Sequence, residues 1–142
     1  MKVLVDTNVL LDVLAHREPF YRASAQIWSL AERGEIDAYI SAISFNNVYY
    51  IVRKAADKTK ADRSLRLMRD VFDSVAPDNK VINQAIDSDF DDFEDAIQYH
   101  CAIRAKALYL ITRNPADFPR SSLTIVTPAE FLALWADLRR KV

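Results

Sequence analysis

The run Lys2-Val3-Leu4-Val5 changes period abruptly: a β-branched strand stops at Asp6-Thr7-Asn8, and Val9, Leu10, Val13 and Leu14 then recur at helical spacing. A strand delivered straight into a helix is the unit of an α/β fold. An acid at that junction lies where open parallel sheets place ligands, outside the carboxyl ends of the strands.

The alternation continues along the chain. After Pro19, the spacing of Ala23, Ile27, Leu30 and Ala31 predicts a second helix, which Gly34 ends. Residues 36–42 read as the second strand, followed by a helix through Val48, Ile51 and Val52 and a charged helix from Lys60 to Ser74. Val75-Ala76-Pro77 reads as a very short strand, and Asp78 as the cap of a helix running toward Ile86. Phe90, Phe93, Ile97 and Cys101 form an apolar stripe at helical spacing; residues 107–111 and 123–126 are strands. Thr127-Pro128-Ala129-Glu130 is a capping box with proline in the first turn, opening a closing helix with Phe131, Leu134, Trp135 and Leu138. Loops are expected at residues 17–19, 56–59, 87–89 and 114–122. Gly34 is the only glycine, which disfavours hairpin-rich all-β folds and any glycine-rich phosphate loop. Strands separated by helices pair in parallel, so the expected architecture is a three-layer α/β/α sandwich with a central, mostly parallel sheet.

With 142 residues, 51% of them apolar, the chain suits a single domain over residues 1–142. No apolar run approaches the roughly 20 residues that cross a bilayer, and no signal-peptide layout precedes VLVD. A cytoplasmic protein without a membrane partner is expected. The lone cysteine, Cys101, can form no internal disulfide and is expected to pack as a small apolar group. Lysine and arginine number 19 against 20 acids, a balance that neither announces nor excludes a nucleic-acid partner. The distribution says more. Basic residues gather between Arg53 and Arg69 and acids between Asp87 and Asp95, the pattern of a basic rim beside an acidic pocket or of two solvated helix faces.

In a parallel sheet every carboxyl end faces one edge. Asp6 and Asn8 follow the first strand, Ser44 and Asn47 the second, and Thr112, Asn114 and Asp117 the strand ending at Ile111, so all become neighbours. Asp92 and Asp95, three apart, share a helix face that Tyr99 continues, away from Phe90, Phe93 and Ile97. Carboxylates brought together either rise in pKa or hold a cation, and hard oxygen ligands with room for water suit Mg²⁺ or Mn²⁺. Such a cation polarises a phosphoryl oxygen and acidifies water, as phosphodiester hydrolysis requires. Each candidate also has a structural role open to it. Asp6 can cap a helix, Asp92 and Asp95 can form a solvated first turn, and Ser44 with Asn47 can form a modified capping box. Asn114-Pro115 is a turn signal, and Asp117 can cap a turn. His16 and His100 read as structural or surface residues. Tyr39, Tyr49, Tyr50 and Tyr99 can pack or stack on bases; Arg53, Lys54 and Arg113 are candidate phosphate contacts.

The segments VDTNVLLDVL, YISAISFNNVYYIVRK, DFEDAIQYHCA and LITRNPADF, in that order over essentially the whole chain, resemble a PIN domain, the nuclease fold of VapC-type toxins. The resemblance implies a compact ribonuclease acting on RNA with Mg²⁺ or Mn²⁺, commonly a homodimer, and neutralised by a small antitoxin. It matches Asp6 to the first acid of the family pattern and Asp95 to the acid of the helical motif. Asp92 offers a further ligand, Asn8 and Thr112 groups that orient ligands by hydrogen bonds. Asn47 stands where glutamate is usual, as in some branches of the family, and Asn114 where aspartate is usual, with Asp117 three residues on as a substitute. Amides keep oxygen acceptors but remove two charges.

Two functions follow: a metal-dependent endoribonuclease serving as the toxin of a toxin–antitoxin pair, or a catalytically weakened PIN-like module that binds RNA or protein. A phosphatase with Asp6 as covalent nucleophile is disfavoured, because Asn8 occupies the place of its second acid. The helices around residues 63–72 and 27–30 are the surfaces on which a dimer is expected.

Overall fold

A computed structural model describes residues 1–119 and 121–141. The described strands are β1 (Lys2–Val5), β2 (Asp37–Ser41), β3 (Asp73–Val75), β4 (Tyr109–Ile111) and β5 (Thr124–Val126). The helices are α1 (Thr7–Leu14), α2 (Tyr21–Glu32), α3 (Ile43–Ala55), α4 (Lys58–Val71), α5 (Asn79–Asp87), α6 (Phe93–Arg104) and α7 (Pro128–Arg140), with a 3₁₀ turn at Pro115–Asp117. All described strands pair in parallel in the order β3-β2-β1-β4-β5, the sandwich expected from the alternation.

Topology dictates which helices cover which face. The chain steps from β1 to β2 to β3 in one direction, and right-handed crossovers put α1 to α4 on one side of the sheet. It then returns past β1 to β4, which sends α5 and α6 to the other side. The two cores follow this division. Val3 and Val5 pack with Leu10, Ile27, Val48, Met68 and Phe131, whereas Leu4 and Leu110 pack with Val81, Ile97 and Cys101. Because β1 is covered on both faces, it reads as a continuous apolar run instead of an alternating one.

Helix starts are encoded locally. Asp57, Asp78 and Asp92 accept hydrogen bonds from the backbone N–H groups of Lys60, Val81 and Asp95, and Thr127 with Glu130 forms the reciprocal capping box. Gly34 sits at φ +71°, the left-handed position that terminates α2.

Several boundaries differ from expectation for nonlocal reasons. The charged helix starts at Lys58 on its Asp57 cap and ends at Val71, not Ser74. Residues 73–75 form β3 by pairing with Tyr39 to Ser41 of β2, which displaces the strand expected at residues 75–77. Lys106 turns the chain at φ 58°, so β4 begins at Tyr109 and not at residue 107. Phe93 opens α6 and is 51% exposed, so it leaves the expected apolar stripe. Tyr99 packs against Phe90 with ring centroids 5.4 Å apart, and so does not continue the acidic face. Ile27 and Leu30 are buried in the core and are not available to a dimer surface. Within the loop expected over residues 114–122, position 120 lies outside the described residues. No helix of the described residues is long and apolar enough to cross a membrane.

Candidate active site

The direction of strand addition reverses between β1 and β4, and the crevice outside their carboxyl ends is the topological switch point. Asp6 follows β1 there. Its backbone N–H continues the ladder to Ile111 O at 2.9 Å, and its extended backbone (φ −71°, ψ 153°) caps α1. Its carboxylate accepts from Thr7 N through Oδ1 at 2.7 Å and from Thr112 Oγ1 through Oδ2 at 2.7 Å. Asp6 is only 4% exposed. Burial raises its pKa to about 6, the bonds from Thr112 and Thr7 hold back part of that rise, and Glu94 and Asp92 add repulsion.

Asn8, two residues into the same turn, is held at both ends. Its Nδ2 donates to Thr112 Oγ1 at 3.3 Å and its Oδ1 accepts from Arg113 N at 3.2 Å. Thr112 also accepts from Asn114 N at 3.2 Å. A closed set of hydrogen bonds therefore fixes the floor of the crevice.

The start of α6 forms the opposing wall. Asp92, Glu94 and Asp95 line a cavity of about 360 Å³ with Thr7, Asn8, Leu11, Asn47, Tyr50 and Ile51. Partial burial and then the charges of Asp6, Asp92, Asp117 and Glu94 push Asp95 up to about 7. Among those charges Asp6 acts most strongly, so acids from opposite halves of the chain lie within mutual electrostatic reach. Among the described residues no three acids, histidines or cysteines close into a ready-made metal cage. The donor set fits a hard divalent ion held by one or two carboxylates, water and substrate phosphate, the usual manner for Mg²⁺.

Below the wall, Gln98 donates from Nε2 to Thr7 Oγ1 at 3.0 Å and to Ser44 Oγ at 3.2 Å, and the two hydroxyls are 2.7 Å apart. This buried triangle ties α6 to the starts of α1 and α3. Ser44 is therefore a brace and caps nothing: α3 begins at Ile43 with no side-chain cap, so no capping box with Asn47 forms. Asn47 lies on the cavity wall. Asp6, Asn114 and Asp117 are not among the cavity-lining residues, Asp6 being buried and the other two exposed; Asn114 contributes its backbone N–H, and Asp117 reaches Asp95 through charge.

The other candidates separate clearly. Arg113 is no free phosphate contact, because its Nη2 pairs with the buried Asp12 Oδ1 at 3.1 Å and its guanidinium lies 4.3 Å from the Phe20 ring centroid. Burial raises Asp12, while Arg113 and Arg17 pull it back. Arg53 donates to the Tyr49 hydroxyl at 2.9 Å, and Tyr50, 61% exposed, is the one of the four tyrosines that lines the acidic cavity. His16 pairs with Glu18 at 3.2 Å, and burial lowers the pKa of His100. Cys101 is buried in the core, as its isolation in the sequence suggests. Sequence reasoning missed Gln98 and Asp12 and did not single out Glu94. The available signal was a polar residue interrupting an apolar helical face, three residues after Asp95 for Gln98 and four after Asn8 for Asp12.

Comparison with known proteins agrees with this architecture. A family model described as PIN domain matches residues 2–116. A protein named Ribonuclease VapC1, from Aquifex aeolicus (strain VF5), is 28% identical over 142 residues, covering 96% of this chain and 97% of that protein. Among solved structures, a toxin–antitoxin complex from Klebsiella pneumoniae superposes with a TM-score of 0.65 at 22% identity, covering 89% of this chain and 97% of that chain. VapBC-1 from nontypeable Haemophilus influenzae gives 0.66 at 15%, covering 91% and 99%. Mycobacterium tuberculosis VapC20, described as a Sarcin-Ricin loop cleaving toxin, gives 0.63 at 11%, covering 76% and 86%. At these identities the structural likeness concerns the fold alone.

Proposed function

This chain belongs to the PIN domain family, and on that premise we propose that it is a divalent-metal-dependent endoribonuclease, the toxin of a toxin–antitoxin pair. The observation that supports the reading is that Asp6, at the end of β1, and the acids at the start of α6, beside the cavity, lie within electrostatic reach of each other. Ribonuclease VapC1 supports the activity because the similarity runs over nearly the full length of both chains. The VapBC complexes among similar folds support a small antitoxin as partner.

Asp6 and Asp95 are the principal ligands in this reading, with Asp92 beside them, Asp117 at the rim, and Mg²⁺ or Mn²⁺ as the ion. Bound there, the ion supplies charge to a phosphoryl oxygen and acidifies the attacking water. The residues do the placing. Thr112 holds Asp6 through its hydroxyl, Asn8 holds Thr112, and Gln98 sets the height of α6 over both. Asn47 presents an uncharged amide to the cavity, so the wall on α3 contributes orientation without charge. One domain over the chain, working in the cytoplasm as a monomer or homodimer, suffices for this chemistry.

The test is cleavage of a labelled single-stranded RNA by the purified chain with Mn²⁺, beside calorimetric titration of Mn²⁺. The expected result is a saturable site and metal-dependent cleavage that Asp6→Asn and Asp95→Asn each reduce to background. Cleavage at the parent rate by the double variant overturns the assignment. A second reading, a binding module with weakened chemistry, draws on the Asn47 amide; RNA binding without turnover and without a saturable metal site at millimolar Mn²⁺ favours it.

A further inference from the structure

Asp12 is wholly buried, and the groups that face its carboxylate are the guanidinium groups of Arg113 and Arg17 and the Ser24 hydroxyl. A charge so placed carries a desolvation penalty that only close pairing offsets. Its ion-pair partner among the described residues is the guanidinium of Arg113, at 3.1 Å, itself laid over Phe20. Asn8 and Asp12 are four apart on α1 and so share a helix face. Both hold the same residue: Asn8 Oδ1 takes the Arg113 backbone N–H, and Asp12 takes its side chain.

That double hold has a directional consequence. The Arg113 N–H can only donate, so the Asn8 oxygen must face it and the Asn8 NH₂ must face Thr112. The Thr112 oxygen then accepts from two N–H groups, Asn8 Nδ2 and Asn114 N. With both lone pairs engaged, its single proton is left for Asp6 Oδ2, at 2.7 Å. Placement of residue 113 therefore decides which way the hydroxyl beside Asp6 points.

We propose that Asp12 and Arg113 are a positioning pair for the metal centre put forward above, pinning the β4 loop to α1 so that Asn8 and Thr112 present Asp6 to the cation; the role rests on that reading. Neither residue touches the ion or the RNA. They act through Asn8 and Thr112, in the manner of outer groups that orient metal ligands.

The test uses the full chain and the double variant Asp12→Leu/Arg113→Met. Replacing a buried ion pair by apolar groups of similar size often leaves stability intact, so a purely structural pair is replaceable without loss. The expected result is an unchanged melting temperature with Mn²⁺ affinity, read by calorimetry, about 10- to 100-fold weaker. Turnover is expected to fall with KM for RNA little moved, because the substrate contacts remain. Asp12→Asn, which keeps an oxygen for Arg113 but removes the charge, is the second variant and is expected to lose an intermediate amount. Wild-type Mn²⁺ affinity and kcat in either folded variant overturns the proposal. A parent chain that takes up no Mn²⁺ overturns the metal reading itself, and the pair's role with it; the parent and variant titrations thus separate the two failures.

Discussion

The floor and the wall of the crevice are built on opposite principles. On the floor, Asp6 is more deeply buried than Asp95, yet each of its oxygens has a donor at 2.7 Å and its pKa reaches about 6. On the wall, Asp95 is only partly buried, is flanked by Asp92 and Glu94, and reaches about 7. Hydrogen bonds offset desolvation on one side, while like charge aggravates it on the other. The floor is set before a cation arrives; the wall is a set of charges that a cation relieves.

The largest test of this contrast is pH. Both carboxyls have folded pKa values above 3.8, so the fold favours their protonated forms. Their contribution to stability is complete below pH 3.8 and is lost as pH rises through about 6 and about 7. Asp6 alone accounts for about 1.5 kcal/mol between pH 5 and pH 8. Asp95 adds in the same direction, reduced by solvent screening. Urea denaturation of metal-free protein is therefore expected to show lower stability at pH 8, and saturating Mn²⁺ to restore it; a flat metal-free profile breaks the contrast.

Removing the floor's main donor comes next. Thr112→Val takes a hydrogen bond from the Asp6 carboxylate and is expected to cost about 1.5–3 kcal/mol at pH 8, read by the same denaturation. Asn47→Glu sharpens the wall by adding charge to the cavity, and is expected to tighten Mn²⁺ binding on the order of tenfold, read by calorimetry. Smallest is Asp95→Asn, which relieves repulsion and is expected to stabilise metal-free protein by about 0.5–1 kcal/mol at pH 8 after allowing for exposure. Removing a donor from the floor thus destabilises the fold, whereas removing a charge from the wall stabilises it, if each is built as described.

The floor was partly legible in sequence because its signals are local. VLVD gives a buried strand and a cap in consecutive residues, and Thr127 to Glu130 announce α7 outright. β3 was misplaced because residues 72–75 suit a helix as well as a strand; the choice is made by β2, whose Tyr39 pairs with Asp73. Gln98 and Asp12 were ambiguous for a similar reason. One polar residue on a helix can face water or a buried partner, and the partners here are Thr7 and Arg113, remote in sequence. Acids at strand ends could be found by position, but the bonds that hold them in place required the fold.

The return of the chain past β1 to form β4 also sets a timetable. While the ribosome is still making α5 and α6, Asp6 has neither the Ile111 carbonyl for its amide nor the Thr112 hydroxyl for its carboxylate. A nascent or truncated chain that stops short of β4 carries its acids without their seat, so the arrangement around Asp6 is completed only late in synthesis.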